Sequence, residues 1–464
     1  MTRVVIVGGG ISGLSLAYRL EQRSPRFEVQ VLEKAPRLGG KVGTIASGGF
    51  HVETGPNGFL ASKTSTLDLC ADLGLADQLV RADAEASKNR YLFDEHGLRR
   101  LPAGPLDFLR SDLLSWRGKL DIARAWLRGA KRGHGDESIA DFARRRIGPE
   151  ATRVLVDAIV TGIHAGDPEL LSAASCFPRF VDMERVHGSV LRGLLAGKPK
   201  MAGATPKRTG LWSLRNGLGT LIEALASRLR SRPVVGVGVA GLTRDRDGWT
   251  VHGEDQGRLP ADVVVLACPA HEQAAIVAEL DVALAERLRS IAYNRIAVVG
   301  LGYRRADVPM DAAGFGYIAP QRLRRDILGV LWCSSIYPGR APEGAVLLRI
   351  MAGGWQRPEV AGWDDDRLLA AVGAELRLAM GITAAPIFQH VIRWSRAIPQ
   401  YHLGHAAKVA WIQERAGRHP GLLMAGNAFH GVALNDCTEQ ATILAEKIEA
   451  SAALRESGAR ANAS

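Results

Sequence analysis

The chain begins with two apolar segments separated by a glycine-rich turn and a helical pattern. Residues 3–7 (RVVIV) are continuously apolar, as in a strand that is buried on both faces. The segment GGGISG follows at 8–13, then SLAYRL at 15–20 with apolar residues at helical spacing, and then EVQVLE at 28–33. This order predicts a strand, a glycine turn, a helix and a second parallel strand, which together form a βαβ unit.

The glycines of this unit have the spacing of a dinucleotide-binding fingerprint. Gly8 permits a tight turn, Gly10 lets the backbone approach a diphosphate, and Gly13 lets the helix pack close to the strand. The amides at the helix start, at Ile11 and Ser12, are free to face the phosphates, and the helix dipole favours negative charge there.

A carboxylate is expected at the end of the second strand of such a unit. Glu33 lies 20 residues after Gly13 and is therefore a candidate to accept hydrogen bonds from the ribose hydroxyls. A carboxylate at this position disfavours a nucleotide that carries a 2′-phosphate.

The middle of the chain contains an amphipathic pattern. Its apolar residues step by three and four, and its basic residues recur every seven on the opposite face. The apolar set is Leu106, Leu109, Leu113, Trp116, Leu120, Ala123 and Leu127, and the basic set is Arg110, Arg117, Arg124 and Lys131. The pattern predicts one helix or a helix pair, which either covers a domain core or lies on a membrane surface.

The α/β pattern returns after about residue 210. A helix is predicted at 217–229, a buried strand within 262–270, and a strand with a following loop at 421–427, before a last helix from about Ala433. The dinucleotide-binding half is therefore expected in three separate pieces, with other material inserted between them.

Composition and charge narrow the class of protein. The 464 residues include 59 Lys or Arg and 48 Asp or Glu, a formal charge of +11, and 47% are hydrophobic, which excludes a disordered chain. No apolar run reaches the roughly 18 residues of a membrane span. Five scattered cysteines and a strand-like N-terminus indicate a reducing compartment without a signal peptide. We expect neither a metal site nor a nucleic-acid partner, because no motif for either is present.

Six motifs in order carry a family resemblance. GGGISG with LEKAPRLGGK is similar to the FAD-binding start of the flavin amine-oxidase superfamily. The resemblance narrows to the protoporphyrinogen oxidases, the oxygen-dependent FAD enzymes of haem biosynthesis, through five further motifs: VETGPNGF (52–59), NRYLFDEHG (89–97), TGIHAGDPELLSAASCFP (161–178), AIPQYHLGH (397–405) and AGNAFHGVALNDC (425–437).

This resemblance implies non-covalent FAD and further site residues. The remaining cofactor contacts are expected at Lys34, Gly40, Lys41, Gly55, Pro56, Asn57, Gly58, Val239, Trp394, Gly426, Val432, Ala433 and Leu434. Among these, the 55–58 loop would lie beside the isoalloxazine and Val239 would receive the adenine. On the substrate side, Arg90 would pair with a propionate of a tetrapyrrole, and Gly162 would leave room for the macrocycle.

The resemblance also implies the reaction. Protoporphyrinogen IX would lose six electrons in three hydride transfers to FAD, and dioxygen would be reduced to hydrogen peroxide. No side chain is expected to act as a strong acid or base. Coproporphyrinogen III is a rival substrate. More distant alternatives are an amine oxidase, a desaturase, or a flavin-binding protein without turnover.

The expected architecture is α/β and α+β, with a Rossmann-like FAD-binding domain in discontinuous segments. We assign residues 1–83, 208–280 and 395–450 to that domain, 84–93 and 281–394 to a mixed-sheet substrate domain, and 94–207 to an inserted helical domain that faces a membrane. We therefore expect a cytoplasmic protein that is either free in the cytoplasm or peripherally bound to the inner membrane. A homodimer and direct transfer of the product to a ferrochelatase stay open.

Overall fold

The computed structural model describes residues 1–124, 135–190, 192–193, 209–246 and 248–461. The strands are β1 (Thr2–Val7), β2 (Phe27–Glu33), β3 (Thr44–Ser47), β4 (Phe50–Glu53), β5 (Phe59–Leu60), β6 (Leu79–Arg81), β7 (Arg90–Asp94), β8 (Gly97–Arg100), β9 (Leu211–Leu214), β10 (Val234–Val235), β11 (Val239–Arg244), β12 (Trp249–Gly253), β13 (Arg258–Ala261), β14 (Val263–Leu266), β15 (Ile296–Arg304), β16 (Gly316–Ile318), β17 (Ile327–Trp332), β18 (Ala345–Gly353), β19 (Phe388–Trp394) and β20 (Leu422–Met424).

The helices lie between these strands and in one long insertion after β8. They are α1 (Ile11–Arg23), α2 (Ser65–Asp72), α3 (Ala84–Lys88), α4 (Pro105–Arg110), α5 (Trp116–Arg124), α6 (Ile139–Ile147), α7 (Pro149–Ala151), α8 (Asp157–His164), α9 (Ala173–Cys176), α10 (Pro178–His187), α11 (Gly219–Arg228), α12 (Ala270–Ile276), α13 (Val282–Arg289), α14 (Cys333–Ile336), α15 (Asp365–Met380), α16 (His405–Gly417) and α17 (Leu434–Ala461).

A parallel five-stranded sheet contains the predicted βαβ unit. Its order is β10-β2-β1-β14-β20, and Val4 of β1 lies opposite Val29 on one side and Val263 on the other. Helices α1, α11 and α17 pack on one face of the sheet and bury Leu14, Leu221 and other apolar residues there. The strands come from three separated parts of the chain, as the apolar pattern predicts. The fold is that of an α/β protein with mixed sheets.

A second, seven-stranded sheet has the order β19-β15-β18-β17-β16-β7-β8. All its neighbours are antiparallel except β16 and β7. Strand β8 pairs with β7, so the sheet extends to Arg100. The domain assignment from the sequence ends this segment of the substrate domain earlier, at residue 93. Smaller sheets join β11 to β13 and β5, β9 and β6, while β3 and β4 form a hairpin.

The amphipathic pattern of the insertion forms two helices, α4 and α5, joined by a short loop. Leu113 and Leu114 of that loop are buried, because the amide and hydroxyl of Ser115 donate to the carboxylate of Glu150 and turn the chain inward. Gly118 packs against the same carboxylate. Of the two predicted forms, the structure therefore shows the helix pair, in which Leu113 is buried while Leu106, Leu109 and Leu120 are exposed. Leu127 and Lys131 lie outside the described residues.

The apolar residues on these two helices face outward. Leu106, Leu109, Trp116 and Leu120 are all strongly exposed, and the exposed fractions of Leu106 and Trp116 are 71% and 73%. These four side chains therefore do not cover a core of the described structure. None of the described helices is both long enough and apolar enough to cross a bilayer.

Candidate cofactor and substrate site

The glycine turn lies at the carboxyl ends of β1 and β14. Gly8 has φ +117°, and a Cβ there would lie 2.7 Å from the amide nitrogen of Cys268. A Cβ on Gly13 would lie 2.0 Å from the carbonyl oxygen of Gly8. Both contacts involve backbone atoms that cannot move cheaply, so the turn requires glycine at both positions and brings the start of α1 against β1.

The start of α1 faces open space. Gly10 is the N-cap residue, and no side chain caps the amides that follow, which include those of Ile11 and Ser12. A Cβ on Gly10 would find only the carbonyl oxygen of Gly39, at 4.0 Å. A helix N-terminus with uncapped amides and room before it can accept an anion.

The loop after β2 folds over this helix start. The amide of Gly39 donates to the carbonyl of Gly9 at 2.8 Å, and a Cβ on Gly40 would lie 3.4 Å from the Cα of Gly10. Lys41 follows with its ammonium 5.9 Å from the ring centroid of Tyr293. Burial lowers the pKa of Lys41, and no carboxylate of the described residues forms an ion pair with it. A desolvated ammonium on the loop that covers an uncapped helix start is suited to a diphosphate.

Glu33 lies at the end of β2, next to the glycine turn. Its carboxylate accepts the amide of Gly9 at 2.7 Å and that of Ala35 at 2.8 Å, which fixes its orientation. The backbone of Glu33 accepts the amide of Val237, two residues before Val239 at the start of β11. Glu33 and Val239 therefore lie in one region of the structure.

Lys34 lies beside this region, because its ion-pair partner Glu254 donates its amide to the carbonyl of Gly238, the residue before Val239. Its ammonium forms an ion pair with Glu254 at 2.8 Å, and its side chain is 62% exposed. A cofactor contact from Lys34 would require that surface pair to open.

The 55–58 loop packs against Lys41. A Cβ on Gly55 would lie 2.1 Å from the carbonyl oxygen of Lys41, so the two segments touch through their backbones. Trp394 donates from Nε1 to the carbonyl of Thr54 at 2.8 Å and thus holds the residue before the loop. The Nδ2 of Asn57 is buried and has no hydrogen-bond partner within the described structure. A buried amide without an acceptor fits a site in which a bound ring supplies the acceptor.

On its other side, the same loop region reaches the start of α17. Asn435 donates from Nδ2 to the carbonyl of Leu60 at 2.6 Å, and the side chains of Cys437 and Ser12 are hydrogen-bonded to each other. The starts of α1 and α17 are therefore neighbours. Gly426 follows β20 with φ +110°, and a Cβ there would lie 3.5 Å from the Ala267 carbonyl oxygen beside the glycine turn.

The turn before α17 is held by one of its own carboxylates. Asp436 accepts the amide of Ala433 at 3.1 Å, and Val432 precedes it. This capping bond occupies the amide of Ala433, and the amides of Asp436 and Cys437 donate to the carbonyl of Ala433. Leu434 is therefore the remaining cofactor candidate at this helix start.

The two substrate candidates flank strand β16. Arg90 begins β7 opposite Gly316, and a Cβ on Gly162 of α8 would lie 3.0 Å from Cδ1 of Ile318. The Arg90 guanidinium stacks 4.2 Å above the ring centroid of Phe315, and its Nε donates to the carbonyl of Ser87 at 3.1 Å. Burial lowers the pKa of Arg90. None of the carboxylates that the structure describes pairs with it, so the cation is available for an acid.

One residue of the site region was missed by sequence reasoning. Arg349 of β18 is 3% exposed and donates from Nε to the carbonyl of Glu53 and from Nη2 to the carbonyl of Gly55. The sequence offered one indication of its role: Arg349 is the single charged residue of the apolar strand AVLLRIMAG (345–353). A buried arginine in such a strand must find acceptors, but the pattern does not say which.

Comparison with known families assigns the chain. The flavin containing amine oxidoreductase family matches residues 11–448. The chain belongs to this family. It is therefore an FAD-dependent oxidoreductase, and the uncapped start of α1, the unpaired Lys41 and the unpartnered amide of Asn57 fit FAD as its cofactor.

The relatives of this family member include two named porphyrinogen oxidases. The protoporphyrinogen oxidase of Bos taurus is 35% identical over 96% of this chain and 98% of its own length. The coproporphyrinogen III oxidase of Bacillus subtilis is 31% identical over 94% of this chain and 96% of its own. A crystal structure of a candidate protoporphyrinogen oxidase from Exiguobacterium sp. 255-15 has a TM-score of 0.84 and 27% identity, over 97% of this chain and 99% of that one.

Proposed function

We propose that this flavoenzyme is a protoporphyrinogen oxidase, which removes six electrons from protoporphyrinogen IX in three steps with dioxygen as the acceptor. The observation that carries the proposal is the unpaired Arg90 guanidinium, which lies over the ring of Phe315 next to strand β16, the strand whose Ile318 faces Gly162. A planar cation with free donors suits the propionate of a tetrapyrrole. The near full-length similarity to named protoporphyrinogen oxidases supports this choice of substrate.

The candidate residues would have separate roles in binding the cofactor. Bound FAD supplies a hydride acceptor. Lys41 and the amides of Ile11 and Ser12 would bind the diphosphate, and Glu33 would bind the ribose. Lys34, Val432 and Ala433 remain proposed contacts. Lys34 already pairs with Glu254, and the amide of Ala433 already donates to Asp436.

The side chains next to Gly162 favour a flat apolar substrate. Ile159 and Ile163 are about half exposed on the open side of α8, and neither can move a proton. Arg90 cannot act as a base, because its guanidinium stays protonated. The described residues at this place would therefore bind and orient the substrate rather than donate or accept protons.

The test of the substrate site is a kinetic comparison of two arginine variants. Arg90→Ala should raise KM about tenfold or more, since losing a charge-assisted hydrogen bond costs about 1.5–3 kcal/mol, and leave kcat nearly unchanged. Arg100→Ala is the control, because Arg100 lies exposed on the neighbouring strand β8 of the same sheet. Equal kinetics for wild type and Arg90→Ala would remove Arg90 from the site.

Coproporphyrinogen III is the second candidate substrate, supported by the Bacillus subtilis relative. The two substrates differ in whether two side groups are vinyl or propionate, and both offer a carboxylate to Arg90. Turnover of both, followed by porphyrin fluorescence, separates them. Faster oxidation of coproporphyrinogen would overturn the choice of protoporphyrinogen. An FAD-loaded protein that oxidises neither would favour an amine oxidase, a desaturase or a flavin carrier.

We also propose that the inserted segment 94–207 is a peripheral membrane-binding domain. The exposed set Leu106, Leu109, Trp116 and Leu120 lies among basic residues, and the ammonium of Lys119 stacks 4.7 Å over the ring of Trp116. Exposed aromatic and aliphatic residues beside cations are suited to an anionic lipid interface.

The membrane proposal is tested by sedimentation with anionic vesicles. Wild type should co-sediment, and Leu106→Ser with Trp116→Ser should reduce the bound fraction several-fold without loss of FAD. Leu378→Ser is the control, because Leu378 is 65% exposed on α15, in a different part of the chain. Wild type that stays in the supernatant at low salt would refute the proposal. The homodimer and the transfer of product to a ferrochelatase remain predictions.

A further inference from the structure

The segment that leads into the 55–58 loop rests on the seven-stranded sheet. A Cβ on Gly300 would lie 2.8 Å from Cγ2 of Val52, and one on Gly302 would lie 2.6 Å from the ring of Phe50. These two glycines of β15 thus leave room for the β3–β4 hairpin. Phe50 in turn stacks on Phe388 with ring centroids 4.8 Å apart. The position of the cofactor loop is therefore set largely by the second sheet.

Arg349 lies beside this contact, because it is the register partner of Gly300. Its guanidinium donates to the carbonyl of Glu53 at 2.9 Å and to the carbonyl of Gly55. The two acceptors are two residues apart, one on each side of Thr54. A planar fork that binds both fixes the direction in which the chain enters the loop.

No carboxylate of the described residues forms an ion pair with Arg349. The nearby carboxylate of Glu53 binds Arg340 at 2.9 Å and also accepts Thr44 Oγ1 and the amide of Leu218. Arg340 and Glu53 are both 1% exposed. Two buried guanidinium groups therefore lie near one carboxylate, which pairs with Arg340, and Arg349 is the surplus cation. Burial lowers its pKa, but an arginine remains protonated at any physiological pH.

We propose that Arg349 is a positioning residue for the FAD-binding loop and that its buried charge raises the reduction potential of the bound flavin. Reduction adds negative charge to the flavin, and a cation in a poorly screened interior stabilises that charge. Removing the cation should therefore lower the reduction potential of the flavin. The inference goes beyond the proposed function, since it holds for any substrate of this flavoenzyme.

The experiment compares two Arg349 variants with wild-type holoenzyme. Arg349→Gln removes the charge and the fork, whereas Arg349→Lys keeps the charge and loses the fork. FAD affinity is measured by recovery of free-flavin fluorescence on dilution, and the potential by equilibration with a reference dye. Arg349→Gln should lower the potential and raise the FAD dissociation constant tenfold or more. Arg349→Lys should weaken FAD binding but retain a potential close to that of wild type.

Arg325→Gln is the control for loss of a half-buried arginine elsewhere. Arg325 precedes β17 and pairs with Glu375 of α15 at 2.7 Å, so its loss should change stability but neither flavin property. A wild-type potential in Arg349→Gln would overturn the electrostatic part, and wild-type FAD affinity in Arg349→Lys would overturn the positioning part. If Arg349→Gln fails to fold, Arg349→Lys decides: a lowered potential or unchanged FAD affinity refutes the proposal. No porphyrinogen is used, so failure here is distinct from failure of the proposed activity.

Discussion

Gly10→Ala is the sharpest test of the cofactor site, because it separates folding from binding. Gly10 has φ −77° and ψ 178°, an extended conformation that alanine adopts freely. The added Cβ would find only the carbonyl oxygen of Gly39, at 4.0 Å, which is ordinary van der Waals contact. The protein without FAD should therefore keep its free energy of unfolding within about 1 kcal/mol.

FAD binding should respond quite differently. The methyl group would occupy the open space before the uncapped amides of α1, where we place the diphosphate. Forcing an extra methyl into a filled site costs about 1–3 kcal/mol, and at 1.4 kcal/mol per tenfold this weakens FAD binding about 5- to 150-fold.

The assay is titration of FAD-depleted protein with FAD, together with urea unfolding of the same samples. Gly104→Ala is a matched control: Gly104 is also an extended N-cap glycine, before α4, and a Cβ there meets nothing within 4 Å. Any general cost of alanine at an N-cap appears in both variants. If Gly10→Ala binds FAD as tightly as wild type does, the diphosphate does not lie against this helix start.

Three further predictions follow from the geometry. Gly13→Ala should destabilise the protein itself by about 1–3 kcal/mol or more in urea unfolding, because its Cβ would lie 2.0 Å from the carbonyl of Gly8; unchanged stability would show that α1 can move. Arg340→Leu should lower the free energy of unfolding by about 3–5 kcal/mol in the same assay, because it leaves the carboxylate of Glu53 buried without its cation. Adding Glu53→Gln to that variant should recover part of the lost stability. Burial lowers the pKa of His164 from its ordinary 6.5 to about 4, so the free energy of unfolding should fall as the pH drops from 6.5 to 4. His164→Asn should reduce that fall by about 3 kcal/mol. An unchanged pH profile of stability in His164→Asn would contradict this prediction.

Some of the candidate site could be predicted because its parts are close in the sequence. The glycine fingerprint, the helix after it and Glu33 lie within one βαβ unit, where local spacing decides both the turn and the hydrogen-bond partners. The family motifs made Lys41 and the 55–58 loop candidates, and the structure brings these two segments into contact. Lys34 shows the limit of such reasoning, because its partner Glu254 is 220 residues away and only the folded chain brings the two together.

The amphipathic pattern shows the same limit in the insertion. The spacing of its leucines predicts helix, and α4 and α5 are indeed helical. The pattern cannot reveal that Glu150 takes the amide of Ser115 and divides the stripe, nor which leucines then face outward.

The sequence by itself determined the dinucleotide-binding unit, its assembly from three pieces and the flavoenzyme family, because these depend on short-range periodicity and on motifs. Tertiary structure alone decided how the 55–58 loop is held. Arg349 acts on Glu53 and Gly55 from almost 300 residues away, and the glycines of β15 matter only because the β3–β4 hairpin packs on them. A buried charge has to find its partners wherever the fold provides them, and no local pattern records where that is.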